Sequence, residues 1–375
     1  INSCNSVKKT TMTWIYVFLL HFTLVGGIAM SWKFSATDIA RARRSTFIGN
    51  ATCLLVFGDS SVDAGNNNHL RTEMKGNFPP YGQDFFHHFP TGRFSNGKLT
   101  TDFLAGVLGY TQAIPAFLDP NIKPEDLPFG VTFASGGSGY DDLTANFSKV
   151  LSISKQIGYF KHYKLHLNRF VGKKRADVII RDAIFVLSAG TNDFIQNYFL
   201  LPIRAKEFSI EGYQIFLQSR MADIFEELRK LGARKVAVVG VPPLGCMPLI
   251  KTLNAQTKCV EKYNRVALSF NSKIRQSVGL FGANARIETL YVDCYQTIMK
   301  AIDNPQAYGI EEASEGCCGS GTIEYGVTCR GQTICADRSK YVFWDAVHPT
   351  ERIYQIVASE ALNHLHVRAS EMYSV

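Results

Sequence analysis

A serine, a histidine and an aspartate stand in contexts that suit nucleophilic catalysis. Ser60 lies in Gly58-Asp59-Ser60-Ser61, directly after the apolar run Cys53–Phe57. A glycine at a strand end lets the chain turn sharply and present the next side chains at the sheet edge. Ser60 is thus a candidate nucleophile; the plainer reading is the N-cap of a following helix. A serine nucleophile needs a base, and the base needs an acid to orient it. Near the C-terminus, Asp345 and His348 are three apart in Phe343-Trp344-Asp345-Ala346-Val347-His348-Pro349. In a tight turn that spacing lets the carboxylate hold Nδ1 and leaves Nε2 free for the serine proton; the plainer reading is a surface turn. Acyl transfer also needs hydrogen-bond donors for the oxyanion. Asn192, in Gly190-Thr191-Asn192-Asp193, offers a side-chain amide, and its plainer role is an Asx turn. The glycine-rich segment Phe133–Gly139 offers closely approaching backbone N–H groups. Together these segments supply a nucleophile, a base, an acid and oxyanion donors, with no cofactor required.

Such residues must be brought together by the fold. Four apolar runs read as strands: Cys53–Phe57, Ala183–Leu187, Lys235–Val239 and Ile287–Val292. Between and around them, amphipathic patterns predict helices over Lys98–Leu108, Ser154–Phe170, Glu211–Leu231, Cys259–Phe281 and Thr350–His366. Strands alternating with helices imply a mostly parallel sheet covered on both faces, with sites at the strands' carboxyl ends. Ser60 and Asn192 follow strands, as that rule requires. The G-x-S-x-G signature is absent, which disfavours an ordinary α/β-hydrolase. Gly92–Leu99 resembles a phosphate-binding loop, but Leu99 stands where Ser or Thr is needed and no strand precedes it. His348-Pro349-Thr350-Glu351 lacks a second histidine for a zinc site, and His87 and His88 read as solvated loop residues.

The chain has 375 residues and a formal net charge of +8. Residues 1–44 carry a net +5, leaving the body at only +3, which argues against nucleic acid as a partner. Lys8 and Lys9 precede the uncharged run Trp14–Met30, a pattern expected of a secretory signal peptide within a leader over residues 1–44. Met12 is a candidate start and Ala36 a candidate cleavage position; an uncleaved anchor is the competing reading. Residues 45–375 are expected to form one domain, extracellular once the leader is removed and with no membrane span of its own. Nine cysteines agree with export. Cys317, Cys318, Cys329 and Cys335 crowd one segment, with connectivity left open, and Cys246 and Cys259 flank a loop. No C-x-x-C occurs and no histidine lies between Cys317 and Cys335, so a metal site is not expected. Cys53 reads as a buried free thiol. Asn50 and Asn146 begin N-x-[ST] sequons and are candidate glycan sites.

Six ordered blocks then carry a resemblance: FGDSSVDAGNNN at 57–68, GRFSNGK at 92–98, FASGGSG at 133–139, GTNDF at 190–194, VPPLGCMP at 241–248 and YVFWDAVHPTE at 341–351. Over roughly residues 52–367 the chain resembles the plant GDSL esterase/lipase family within the SGNH hydrolases. The resemblance implies a three-layer α/β/α sandwich around a five-stranded, mostly parallel sheet. It also implies Ser60 as nucleophile, His348 as base and Asp345 as the orienting acid. The oxyanion hole would take the backbone N–H groups of Ser60 and Gly136 and the side chain of Asn192, with Gly137 as the alternative alignment. A secreted carboxylic-ester hydrolase acting on small-molecule, lipid or sugar esters is the leading expectation. An acyltransferase using the same acyl-enzyme is its neighbour. A catalytically silent secreted binding or defence glycoprotein is the contrasting class.

Overall fold

The first strand, β1 (Leu54–Gly58), is buried along its whole length. Its sequence, Leu-Leu-Val-Phe-Gly, is apolar on both faces, as a strand covered on both sides must be. In this computed structural model, which describes residues 40, 45–285 and 287–372, β1 pairs in parallel with β2 (Gly130–Thr132) on one edge and β3 (Ile184–Ser188) on the other. Beyond β3 lie β4 (Lys235–Val239) and β5 (Glu288–Val292), also parallel. The sheet order is β2-β1-β3-β4-β5. The chain steps from β1 outward to β2, then crosses back to β3 on the other side. The carboxyl ends of β1 and β3 therefore flank the topological switch point, where open α/β sheets bind ligands.

Helices cover the sheet. Helix α1 (Thr100–Leu108) precedes β2, and α2 (Ile153–Val171) and α3 (Lys173–Asp182) lie between β2 and β3. Helix α4 (Ile210–Lys230) joins β3 to β4, and α5 (Glu261–Ala285) joins β4 to β5. Two more, α6 (Cys294–Asp303) and α7 (Glu351–Met372), follow the last strand of the sheet. Helix α2 seals one face through Phe160, whose ring meets Phe57 of β1 at 5.8 Å and Phe185 of β3 at 5.4 Å. Both pairs are edge-to-face, the arrangement aromatic quadrupoles favour. Helices α1, α6 and α7 pack on one another over the opposite face. The result is a three-layer α/β/α arrangement.

The predicted strands fall within one residue of those observed. The sequence reading gave no span for β2, because three residues beginning with glycine carry no periodicity. It also passed over α3, which opens Lys173-Lys174-Arg175 and shows few apolar positions. The expected leader, save residue 40, lies outside the described residues. Among the described residues no helix is long and apolar enough to cross a membrane.

A second, two-stranded sheet joins β6 (Glu312–Gly316) to β7 (Tyr341–Phe343). Between these strands runs the cysteine-rich segment. The structure pairs Cys317 with Cys335 and Cys318 with Cys329, and, elsewhere, Cys246 with Cys259. Cys53 and Cys294 are free and buried. Burial pushes the Cys53 thiol up to about 12 and also raises that of Cys294, whose Sγ lies 2.8 Å from the Gly240 carbonyl.

Glycine is required at the last position of β1. Gly58 has φ +144°, and a Cβ there would stand 1.9 Å from the carbonyl oxygen of its register partner Ser188. Gly58→Ala is expected to push β1 and β3 apart at the end that carries the site, at a cost of about 3 kcal/mol. Urea unfolding of the variant checks this; a midpoint indistinguishable from wild type would show that the approach is not tight.

Candidate active site

Immediately past β1 the chain makes an Asx turn. Asp59 Oδ1 accepts from the Ser61 backbone N–H at 2.9 Å and from the Ser61 hydroxyl at 2.7 Å. The Ser61 and Ser188 hydroxyls are 2.8 Å apart, which ties the turn to the end of β3. With its neighbours held, Ser60 projects into a cleft lined by Met74, Phe94, Gly137, Asn192, Leu249 and His348, among others. No helix begins at Ser60, so the N-cap reading does not apply.

Ser60 Oγ lies 2.9 Å from His348 Nε2. His348 Nδ1 faces both carboxylate oxygens of Asp345, at 2.9 and 2.8 Å. That contact fixes which ring nitrogen carries the proton and turns Nε2 to the serine. Asp345 is fully buried. Its Oδ1 also accepts the backbone N–H groups of Val347 and His348, at 2.8 and 2.7 Å. Its Oδ2 accepts the Tyr81 hydroxyl at 2.7 Å. That hydroxyl in turn accepts the Gly326 N–H at 2.7 Å. Burial, and next the charge of Asp345, raise the Tyr81 hydroxyl well above the ordinary phenol range, so it remains a donor.

Sequence reasoning missed Tyr81. Its only signal was an aromatic with a hydroxyl in a loop, which specifies no partner. The cysteine-rich segment supports the same carboxylate. Cys317 N–H and Cys318 N–H donate to the Phe343 and Trp344 carbonyls at 3.1 and 2.9 Å. Ala346 N–H donates to the Glu324 carbonyl at 2.9 Å. The Cys318–Cys329 bridge packs in one apolar cluster with Tyr81, Phe94 and Trp344.

Asn192 follows β3 at the start of a π-helical segment, Asp193–Leu200. Its Nδ2 donates to the Ser138 carbonyl at 2.9 Å, and its Oδ1 accepts from Gln196 Nε2 at 3.2 Å. Gln196 is itself oriented by the Ser148 hydroxyl, 2.9 Å from Oε1. These contacts fix the amide's orientation. They use one of the two Nδ2 hydrogens, so a second remains to face the cleft.

The two glycines offered as donors, Gly136 and Gly137, are placed differently. Gly136 N–H does not face the cleft; it donates to Asp63 Oδ2 at 2.9 Å. The peptide after it changes direction because Gly137 adopts φ +90°, and Gly137 is the residue that borders the cleft. Asp63 is fully buried, and its Oδ1 accepts the Gly65 and Asn66 N–H groups at 2.8 Å each. Desolvation pushes its carboxyl up to about 6 against the opposing pull of those donors. Asn66 and Asn67 clamp the same loop through the Thr132, Ala134 and Gly136 carbonyls. The other face is held by Gln156 of α2, whose Oε1 accepts Gly58 N–H and whose Nε2 donates to Gly58 O, each at 2.9 Å.

The remaining sequence motifs are structural. Arg93 makes a buried fork with Asp102, 2.8 Å at each of two contacts. Lys98 N–H donates to Glu351 Oε1 at 3.0 Å, and Asn96 Oδ1 accepts Glu351 N–H at 2.8 Å. Gly92–Leu99 is therefore a brace between α1 and α7. Asn50 and Asn146 are both exposed. No group of three or more metal-ligating side chains occurs among the described residues.

The family described as GDSL-like Lipase/Acylhydrolase matches residues 54–361. One GDSL esterase/lipase of Arabidopsis thaliana is 52% identical over 325 residues, spanning 87% of this chain and 91% of that protein. A second from the same plant is 43% identical over 314 residues, with 81% and 84% covered. Among solved structures, an acetylxylan esterase of Geobacillus stearothermophilus aligns with a TM-score of 0.39 at 15% identity, over 85% of this chain and 96% of that one. The chain belongs to the GDSL-like lipase/acylhydrolase family and is a carboxylic ester hydrolase.

Proposed function

We propose that this chain hydrolyses carboxylic esters through an acyl-enzyme on Ser60. The observation that carries the reading is the unbroken line from Tyr81 through Asp345 and His348 to Ser60, with contacts of 2.7, 2.8 and 2.9 Å. His348 Nε2 takes the proton as Ser60 Oγ attacks the ester carbonyl carbon. The oxyanion receives the N–H groups of Ser60 and Gly137 and the free Nδ2 hydrogen of Asn192. Asp345 stabilises the imidazolium, which then gives its proton to the departing alcohol. Water, activated by the same imidazole, attacks the acyl-enzyme and frees Ser60.

The proposal extends to the compartment. Six paired cysteines suit an oxidising environment, and the leader read at 14–30 supplies an export route. Asn50 and Asn146 are then the candidate glycan sites.

Ser60→Ala is expected to lower ester turnover by about 10³-fold or more in a variant that still folds. A fluorophosphonate probe should label Ser60 in the wild type and nothing in its place in the variant. Near-wild-type turnover by folded Ser60→Ala would exclude the assignment.

Asn192 acts on charge that exists only in the transition state. Asn192→Ala should therefore lower kcat by ~10²- to 10³-fold with KM little changed. Equal loss in kcat and in folded fraction, seen by thermal melts beside the kinetics, would return Asn192 to a turn-forming role.

Tyr81 touches no reacting atom and is a positioning residue. Tyr81→Phe keeps the ring but removes the donor to Asp345. The expected result is a fall in kcat of about tenfold, KM within about twofold, and an altered pH profile of kcat/KM. An unchanged pH profile with a lowered melting temperature would make Tyr81 a packing residue only.

A further inference from the structure

We propose that the cleft selects esters of extended aliphatic acyl chains over acetyl esters, and that Ile195, Phe199, Leu249 and Leu253 form the wall that does so. The inference rests on the serine-esterase reading above and adds its substrate class. Two short helical segments begin inside the cleft and end outside it, each carrying apolar residues one turn apart.

The first is the π-helical segment that starts beside Asn192. Ile195 lines the cleft and is buried. In a π-helix one turn takes between four and five residues, so Phe199 and Leu200 continue the row that Ile195 begins. Leu200 and Leu201 are 41% and 48% exposed. The second is the short helix Pro248–Leu253. Leu249 lines the cleft, and Leu253, one turn on, is 52% exposed.

The two rows converge. The Phe199 ring meets Tyr263 at 4.4 Å, and Asn254, next to Leu253, reaches the Tyr263 hydroxyl at 3.5 Å. An apolar strip therefore leads from the cleft to the surface. Singly exposed leucines are ordinary. Here the two rows start at Ile195 and Leu249, which line the reaction cleft, so a chain leaving that cleft on this side would run along them.

The acyl part fits that strip better than the alcohol. Ile195 is three residues from Asn192, so its row starts where the carbonyl oxygen, and with it the acyl carbon, must lie. The departing alcohol must instead sit against His348 Nε2. Each methylene laid against the wall should raise kcat/KM by up to about fourfold, from the transfer free energy of a buried CH₂.

The test uses the purified full chain with p-nitrophenyl acetate, butyrate and octanoate below their micellar concentrations, together with butyl and octyl acetates. The wild type should prefer octanoate to acetate by tenfold or more in kcat/KM. Leu253→Glu and Leu249→Asn should each lower the octanoate-to-acetate ratio at least fivefold, and Leu253→Ile should restore it. Melting curves establish that each variant is folded. A flat acyl-length profile from an enzyme that turns over acetate and is labelled at Ser60 overturns this inference and leaves the esterase reading standing. A preference for octyl over butyl acetate without an acyl preference also overturns it. No turnover of any ester, with no labelling at Ser60, overturns the esterase reading and this inference with it.

Discussion

Asp345 is a carboxylate with no exposure to water, and a buried charge survives only where donors replace its hydration. Four donors do so: the Tyr81 hydroxyl, the Val347 and His348 backbone N–H groups and the His348 ring. Three come from the tight turn that also carries the histidine, so the local sequence Asp-Ala-Val-His meets all but one part of the requirement unaided. The Tyr81 hydroxyl comes from 264 residues away and is itself held by Gly326 of the cysteine-rich segment. The two bridges in that segment, Cys317–Cys335 and Cys318–Cys329, thus close loops whose backbone lies along Phe343–Ala346. In a chain-entropy view, bridges over such short loops restrict the unfolded ensemble only moderately. Their larger consequence in the native state is to make the surroundings of Asp345 one rigid unit.

The serine side is built by a different device. Ser60, Gly137 and Asn192 come from three loops that follow three parallel strands, and parallel strand ends have no hairpin to join them. Side-chain amides and carboxylates do the joining. Gln156 bonds both the N–H and the carbonyl of Gly58, as a neighbouring strand would. Asp63, Asn66 and Asn67 bond the backbone of the 132–136 segment, and Gln196 orients Asn192. Each of these groups is buried or half-buried, where a hydrogen bond is strong and an unmade one costly. The loops therefore have one low-energy arrangement, which is the condition the proposed oxyanion donors need to act without reorganising.

The contrast between what could and could not be read from sequence follows from distance along the chain. β1, β3 and β4 were legible because an apolar, β-branched run bounded by turn residues is a local pattern. Asp345 and His348 were legible because both lie in one turn. Tyr81 was not, since nothing near Tyr81 marks a carboxylate 264 residues away. Gly136 and Gly137 differ only in which way one peptide faces. That is decided by Asp63, which captures the first N–H, and by the positive φ of the second. A glycine pair in a sequence shows that a sharp change of direction is allowed and does not show at which residue it occurs.

Placement at the switch point and the π-helical segment solve one geometric problem together. The β2-β1-β3 order opens a crevice between the ends of β1 and β3, flanked by backbone on both sides. An α-helix beginning at Asn192 would bring the residue four positions on directly above it. The wider π turn still lets Gln196 reach back to Asn192 at 3.2 Å, and it keeps Ile195 on the cleft wall. One irregular turn thereby orients the Asn192 amide and places Ile195 on the cleft lining. A π turn is less stable than an α turn, and such turns recur where a helix serves a site. Here the interruption is held by Asp193, fully buried beneath it, which accepts from the Tyr140 N–H at 2.8 Å and the Thr144 hydroxyl at 2.6 Å. The same segment that departs from regular helix geometry is anchored by a buried carboxylate, as His348 is on the other side of the cleft.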